Sequence, residues 1–481
     1  MKKSYLSAFI IIIIYSISSL FAQAPDTLWT RMLSGNVGKS VFATSDGGFV
    51  VGGYKSVNGY RDFYIAKVDA LGDLVWEYTY GFEGISETMN CMIRTSDGGF
   101  MMAGNTMEDP PNSSYTDNLL VKTNEDGQQE WYSIVGANDE SDSPACIAET
   151  MEGGFVMTGS IWWDGYNGYD ITLTKVNPLG AFEWKEHYNF EQGKAEYGLW
   201  VEVNADGDFI ITGETQAYTT NYDYDAFIMK TTPLGTLLSF TNYGENWPMY
   251  EGAYRLLQTT DGHYLICGYQ NNDNLDNNWY VVKTGENGWT HTIGGTYHDK
   301  AYNACETADG GYAVTGTYHE GMWNSFIVRY TSDGDTLWTK LWGDGEHNRY
   351  NYDIKELDDG GFITVGSIST GTYTTGLYIT RLVPVSPSSV SSGNDFPFES
   401  VQLQPNPYDE KTTLTFTLNR PILVRIKIFD ITGSLNSIIY ESEMSAGRQQ
   451  INIHEDISPG VYFCEIGAGD LRITKKLIRT K

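Results

Sequence analysis

The chain is short of most features that would announce a chemistry. Of 481 residues only five are cysteine, and none lies in a Cys-x-x-Cys arrangement, so no zinc knuckle or redox pair is written in the spacing. Five cannot all pair internally, and Cys91, Cys146, Cys267 and Cys305 sit inside strand-like runs, which reads them as small buried apolar residues. Basic residues are scarce, with 31 Lys and Arg against 61 Asp and Glu. From Val401 onward the signs nearly balance at 10 and 9; upstream, leaving out Lys2 and Lys3, 19 basic residues face 52 acidic ones. Such a field repels nucleic acid and anionic lipid and tolerates divalent cations. No segment shows helical periodicity, no stretch beyond the N-terminal leader is apolar for the length of a membrane span, and no His-Glu-x-x-His signature occurs.

What is present begins with Lys2-Lys3, an apolar run through Ile10 to Ile14 and Leu20-Phe21, then Ala22-Gln23-Ala24. That order is the order of a secretory signal peptide. Residues 1–24 are expected to be removed on passage to the periplasm, leaving a mature chain with no transmembrane span, secreted or held at the outer-membrane surface.

Seven copies of one phrase follow: an acidic residue, one or two glycines, an aromatic, three mostly apolar residues and a glycine. The aromatics are Phe49, Phe100, Phe155, Phe209, Tyr264, Tyr312 and Phe362, spaced by 51, 55, 54, 55, 48 and 50 residues. A period near fifty with four strand-sized runs per repeat predicts an all-β chain, a seven-bladed propeller over 25–384. The runs are named A to D; in the second repeat they are Thr88 to Arg94, Gly99 to Gly104, Asn118 to Thr123 and Glu130 to Val135. The last repeat has no D strand, while Asp26-Thr27-Leu28-Trp29-Thr30 nearly repeats the D strand Asp335-Thr336-Leu337-Trp338-Thr339. The N-terminal segment Asp26 to Met32 is therefore expected to pair with Leu377 to Leu382 and close the ring. Residues 59–76, with Asp62, Lys67, Gly72 and Trp76 in order, resemble a bacterial beta-propeller repeat. That resemblance implies the fold and no particular chemistry.

Two seven-fold sets of charge read as structural. Lys67, Lys122, Lys175, Lys230, Lys283, Arg329 and Arg381 stand late in strand C; Asp46, Asp97, Glu152, Asp206, Asp261, Asp309 and Asp359 stand in the A-to-B turn. A B–C hairpin brings both to one end of a blade, which predicts an ion pair in each. The tryptophans Trp29, Trp76, Trp131, Trp184, Trp289 and Trp338 are expected to pack between blades.

The B-to-C and D-to-A connections vary, and both fall on one face, where binding is expected. Trp162, Trp163, Tyr166, Tyr169, Tyr222, Tyr318 and Trp323, interleaved with Asn and Asp, suit a sugar whose C–H faces lie on rings and whose hydroxyls meet short polar groups. The same rings could instead cap the core. His298, His319 and His347 are candidates for a transition-metal site, or are three separate surface histidines. Glu87, Asp142, Glu196, Glu251 and Asp299, ten residues before the turn acid, are expected near the channel mouth, as caps of the strand ends or as a ring for calcium, a series that Asn36 and Arg349 break. No other cofactor is evident.

Residues 385–400 are rich in Ser and Pro and read as linker. Beyond them Pro405-Asn406-Pro407, Gly433, Gly460-Val461-Tyr462 and Lys475-Lys476 come in a fixed order within 401–481. This resembles the C-terminal sorting domain of the type IX secretion system of Bacteroidetes, which implies a small antiparallel β-sandwich and the outer-membrane secretion machinery as partner. The whole reads as an exported propeller acting as a binding module for a glycan or a surface protein. A polysaccharide lyase or glycosidase on the same scaffold, or a structural part of a surface apparatus, are the alternatives.

Overall fold

The computed structural model describes residues 24–107, 116–136, 141–163, 168–217, 223–244, 250–271, 276–294, 298–319, 321–343, 346–369, 375–383, 398–406, 408–409, 411–418, 421–430, 435–454, 457–468 and 471–480. The described chain is all-β, without a helix, and its compact units fall within 24–389 and 390–481.

The first unit holds seven four-stranded antiparallel sheets, none closed on itself. Six are built from consecutive strands, as in Thr88–Arg94, Phe100–Thr106, Asp117–Thr123 and Gln129–Val135. The seventh takes three strands from Asn348–Glu356, Phe362–Ser369 and Thr375–Leu382, and its fourth is Thr27–Leu33. That strand pairs antiparallel with Thr375–Leu382, setting Trp29 opposite Arg381 and Leu33 opposite Leu377. Each sheet packs on the next in sequence, and the seventh on the first.

The repeated phrase follows from local geometry. In the first A-to-B turn Gly47 N–H donates to Thr44 O at 3.0 Å and Thr44 N–H to Gly48 O at 2.9 Å, a tight turn that requires Gly47 at φ 81°. Asp46 Oδ1 accepts from Gly48 N–H at 3.2 Å and from the Thr44 hydroxyl at 2.5 Å. The glycine in strand B answers another constraint. A Cβ on Gly104 would lie 2.0 Å from the carbonyl oxygen of Thr88, because strand A bulges there, with register shifting between Met89 and Cys91. All seven A strands carry this bulge.

Tryptophan packing links successive sheets. Trp131 of the second sheet lies on Phe155 of the third with ring centroids 6.2 Å apart, Trp184 on Phe209 at 6.3 Å, and Trp338 on Phe362 at 5.7 Å. Trp29 stands in the same relation to Phe49 of the first sheet, at 5.9 Å. One core cluster accordingly joins Val41, Phe49 and Val51 to Ile363, Val365 and Leu377. All five cysteines are buried and free, and the Sγ atoms of Cys91 and Cys146, in the second and third sheets, are 2.7 Å apart.

The second unit contains a three-stranded and a four-stranded antiparallel sheet. They share one core in which Leu414 and Phe416 of the smaller sheet meet Val424, Ile426, Cys464 and Ile466 of the larger. Alternating burial along Thr412–Leu418 marks the period of a half-buried strand.

Candidate functional site

The bulge that all seven A strands share decides where a ligand could sit. An unpaired bulge residue leaves the hydrogen-bond ladder and its side chain is re-aimed. The seven bulge residues are Lys39, Asn90, Ala145, Leu199, Tyr254, Tyr302 and Tyr352. All seven line a single cavity of about 640 Å³. Three adjacent sheets thus present tyrosines, with ring centroids 5.5 Å apart for Tyr254–Tyr302 and 5.1 Å for Tyr302–Tyr352. The Lys39 ammonium lies over the Tyr352 ring at 4.3 Å, and burial pushes its pKa down to about 8. At the other end of the row, Lys300 Nζ donates to the Tyr254 hydroxyl at 2.7 Å. Burial pushes Tyr302 up to about 12 and raises Tyr254 and Tyr352 as well.

A second cavity, of about 700 Å³, shares Ser143, Ala145 and Leu199 with the first. Its walls combine the rings of Trp162, Tyr169 and Tyr197 with the hydroxyls of Thr116, Ser141 and Ser160. Trp162 is 41% exposed, its ring 4.9 Å from Tyr169, which lies 5.0 Å from Tyr197. From there the contacts continue to Tyr224 at 6.0 Å and Tyr250 at 6.5 Å.

Of the other aromatics singled out in the sequence, Trp323 is half-buried between His319, at 4.8 Å, and Tyr350, at 5.8 Å. Tyr318 does not belong with them: it is buried in a core cluster against Phe326, in a strand, Tyr312–His319, that is buried along nearly its whole length. Trp163 ends its strand, and its side chain, like Tyr166 and Tyr222, lies outside the described residues.

His298 and His319 share one neighbourhood around Asp299. His298 Nδ1 accepts from Asn277 N–H at 3.1 Å, and the backbone N–H of His319 donates to Asp299 Oδ1 at 2.7 Å. Burial, then the nearby His298, lowers the His319 pKa. His347 follows Glu346 just before the seventh A strand. Among the described residues no group of three His, Cys, Asp or Glu side chains could hold a metal ion.

The acids at the starts of strand A are not displayed at an open mouth. Glu87, Asp142, Glu196, Glu251 and Asp299 are all buried. Neighbouring strands take up four of them: Thr106 Oγ1 donates to Glu87 at 3.3 Å, Lys185 Nζ to Asp142 at 2.6 Å, Gln270 Nε2 to Glu251 at 2.8 Å, and Asp299 receives His319 N–H. Burial pushes Glu87 up to about 7 and Glu196 to about 8.

The turn charges do meet strand C. Lys67–Asp46 is 2.6 Å, Lys122–Asp97 2.8 Å and Lys283–Asp261 2.8 Å; Arg329 pairs with Asp309, and Arg381 with Asp359. Two sheets depart from the pattern. Lys230 pairs with Asp208 at 2.8 Å rather than with Asp206, since Asp208 replaces the second turn glycine and sits beside the end of strand C. Lys175 is nearer to Glu183 on strand D, at 2.9 Å, than to Glu152, at 3.9 Å.

In the C-terminal unit Asn406 Oδ1 accepts from Ile478 N–H at 2.9 Å, tying the Pro-Asn-Pro segment to the last strand, and Pro405 O accepts from the Thr412 hydroxyl at 2.6 Å. Tyr462, beside Gly460, donates to Ser458 O at 2.9 Å. Lys475 and Lys476 lie on the last strand opposite Cys464 and Phe463, while Pro407 and Gly433 fall outside the described residues.

Residues 402–480 match the family model of a secretion system C-terminal sorting domain. The C-terminal unit is therefore a type IX sorting domain, and the protein that carries it is exported, to the cell surface or beyond it. No curated protein matches the sequence. Among solved structures, a fungal alcohol oxidase of the AA5 family is similar at TM-score 0.46 and 11% identity, over 95% of this chain and 100% of its own. The polysaccharide lyase Uly1 is similar at 0.46 and 12%, over 72% and 90%. A GH43 endo-arabinanase from Bacillus licheniformis is similar at 0.30 and 9%, over 52% and 95%.

Proposed function

We propose that residues 25–384 form a seven-bladed propeller that binds a glycan outside the cell, after entry to the periplasm by the N-terminal leader and export by the sorting domain. Three relations support the propeller: seven sheets, the N-terminal strand in the seventh, and Trp29 on Phe49 in the place that Trp131 takes on Phe155. Lining one cavity with a residue from every sheet is what a ring of blades around an axis does.

The observation that carries the glycan reading is the cavity of Trp162, Tyr169 and Tyr197 beside Thr116, Ser141 and Ser160. Half-buried rings cover the C–H faces of a sugar, and hydroxyls that both donate and accept match its own hydroxyls. A protein surface would ask for a broad flat patch instead. Tyrosines raised by burial are poor bases near neutral pH and serve as stacking faces and donors, which favours binding over acid–base turnover. The Ser/Pro-rich residues 385–400 then act as a spacer between binding unit and address.

The test is a glycan array probed with the mature chain and with Trp162→Ala. Binding of a defined glycan family by the wild type, weakened in the variant by about 1–3 kcal/mol as for a base lifted from an aromatic platform, is the expected result. An array without signal, or equal binding by both proteins, removes the reading.

A further inference from the structure

The bulge cavity carries a charge that the protein itself does not answer. Four cations line it, and three have local acceptors: Arg255 pairs with Glu202 at 2.9 Å, Lys355 with Asp353 at 3.0 Å, and Arg94 donates to Ala43 O at 3.4 Å. Lys39 has no carboxylate partner among the described residues, and its ammonium rests only on the ring of Tyr352. The nearby acid Asp353 is already occupied, accepting from Val41 N–H at 2.9 Å, Ile354 N–H at 2.8 Å and Lys355. Lys300, beyond Tyr254 and outside the cavity lining, is answered: it donates to the Tyr254 hydroxyl, and the field of the Glu214 carboxylate opposes the lowering of its pKa by burial. One unanswered cation, Lys39, therefore stands at the end of a row of three tyrosine rings, in a chain with a formal net charge of −30. A half-buried lysine has given up part of its hydration, and an anion or a strong acceptor restores it.

Resting on the glycan reading above, we propose that this cavity takes an acidic saccharide, its anionic group on the Lys39 ammonium and its sugar rings along Tyr352, Tyr302 and Tyr254. At about 640 Å³ the cavity is large enough for a short oligosaccharide. The acid can be a uronate carboxylate or a sulfate ester. The fixed cations are what let such a ligand approach a surface whose overall field opposes it.

Calorimetric titration of the mature chain decides the matter, with oligogalacturonates and oligomannuronates as carboxylated probes, sulfated galactan oligomers as sulfated ones, and uncharged galacto- and manno-oligosaccharides as their neutral counterparts. We expect one acidic class to bind and its neutral counterpart to bind about tenfold more weakly or worse, the class identifying which acid is taken. Lys39→Met should weaken the acidic ligand about tenfold and leave any neutral binding unchanged, and Lys39→Arg should restore most of the loss. Thermal unfolding of both variants checks that they fold. Equal affinity for acidic and neutral sugars, no effect of Lys39→Met, or no acidic ligand at all would overturn the proposal. Neutral binding that Trp162→Ala abolishes and Lys39→Met spares would leave the glycan reading standing and remove this one.

Discussion

Single residues in this chain are tuned mostly by burial, and Glu196 shows the consequence. It stands fully buried at the start of the fourth A strand, and burial, reinforced by Asp170 and Glu191 and opposed by Lys194, pushes its carboxyl from 4.5 up to about 8. The folded state thus holds this proton more tightly than the unfolded state. Its contribution is intact below about pH 4.5 and is lost as pH rises through about 8, the reverse of a salt-bridged carboxylate. Glu196→Gln should therefore gain on the wild type in melting temperature between about pH 5 and about pH 9. Parallel pH profiles for the two proteins would show that Glu196 ionises freely. Tryptophans divide by the same criterion. Trp131, half-buried on Phe155 with Gly180 beneath its ring, should cost about 3 kcal/mol as alanine, whereas Trp162, 41% exposed, should stay within about 0.5. Chemical denaturation of both variants reads the difference, and equal losses would place Trp162 in the core.

At the scale of strands and turns, much was legible because sterics dictate residue type. The turn needs a glycine at positive φ and strand B needs one opposite the bulge, so both leave a repeating mark. The bulge residue lies ten places before each repeat aromatic, as Tyr302 does before Tyr312, but geometry there demands no particular side chain. Lys, Asn, Ala, Leu and Tyr all occupy it, so the cavity lining carries no motif and was missed. Tyr318 and the acids from Glu87 to Asp299 depart for the converse reason: their wording looks like loop or mouth, while packing on Phe326 buries Tyr318 and contacts with neighbouring strands bury the acids. The N-terminal strand is the element most open to trial. Removing residues 25–33 strips Thr375–Leu382 of one of its two strand partners and Phe49 of Trp29. An uncovered strand edge beside an opened core should make the shortened protein aggregate, read by light scattering during refolding. A monodisperse truncation with an unchanged melting temperature would mean that the seventh sheet does not depend on that strand.

For the molecule as a whole, the two units have separate cores and separate tasks. The sorting unit encloses its own cluster of Leu414, Phe416, Ile426 and Ile466, and the seven sheets draw their cores from residues before Val383. Charge divides in the same way, since the whole acidic excess lies upstream of Val401. A unit that buries its own apolar surface does not need its neighbour in order to fold. Deleting residues 401–481 should therefore leave a folded N-terminal unit with an unchanged melting temperature, while removing the part that matches a secretion system sorting domain. In the producing cell the truncated protein should accumulate inside the envelope, whereas the full chain reaches the surface or the medium. Fractionation followed by limited proteolysis reads both outcomes at once: location reports the address, and protease resistance reports the fold. A truncation that is released normally would separate the sorting domain from export, and one that is trapped but protease-sensitive would show that the sheets need the C-terminal unit to form.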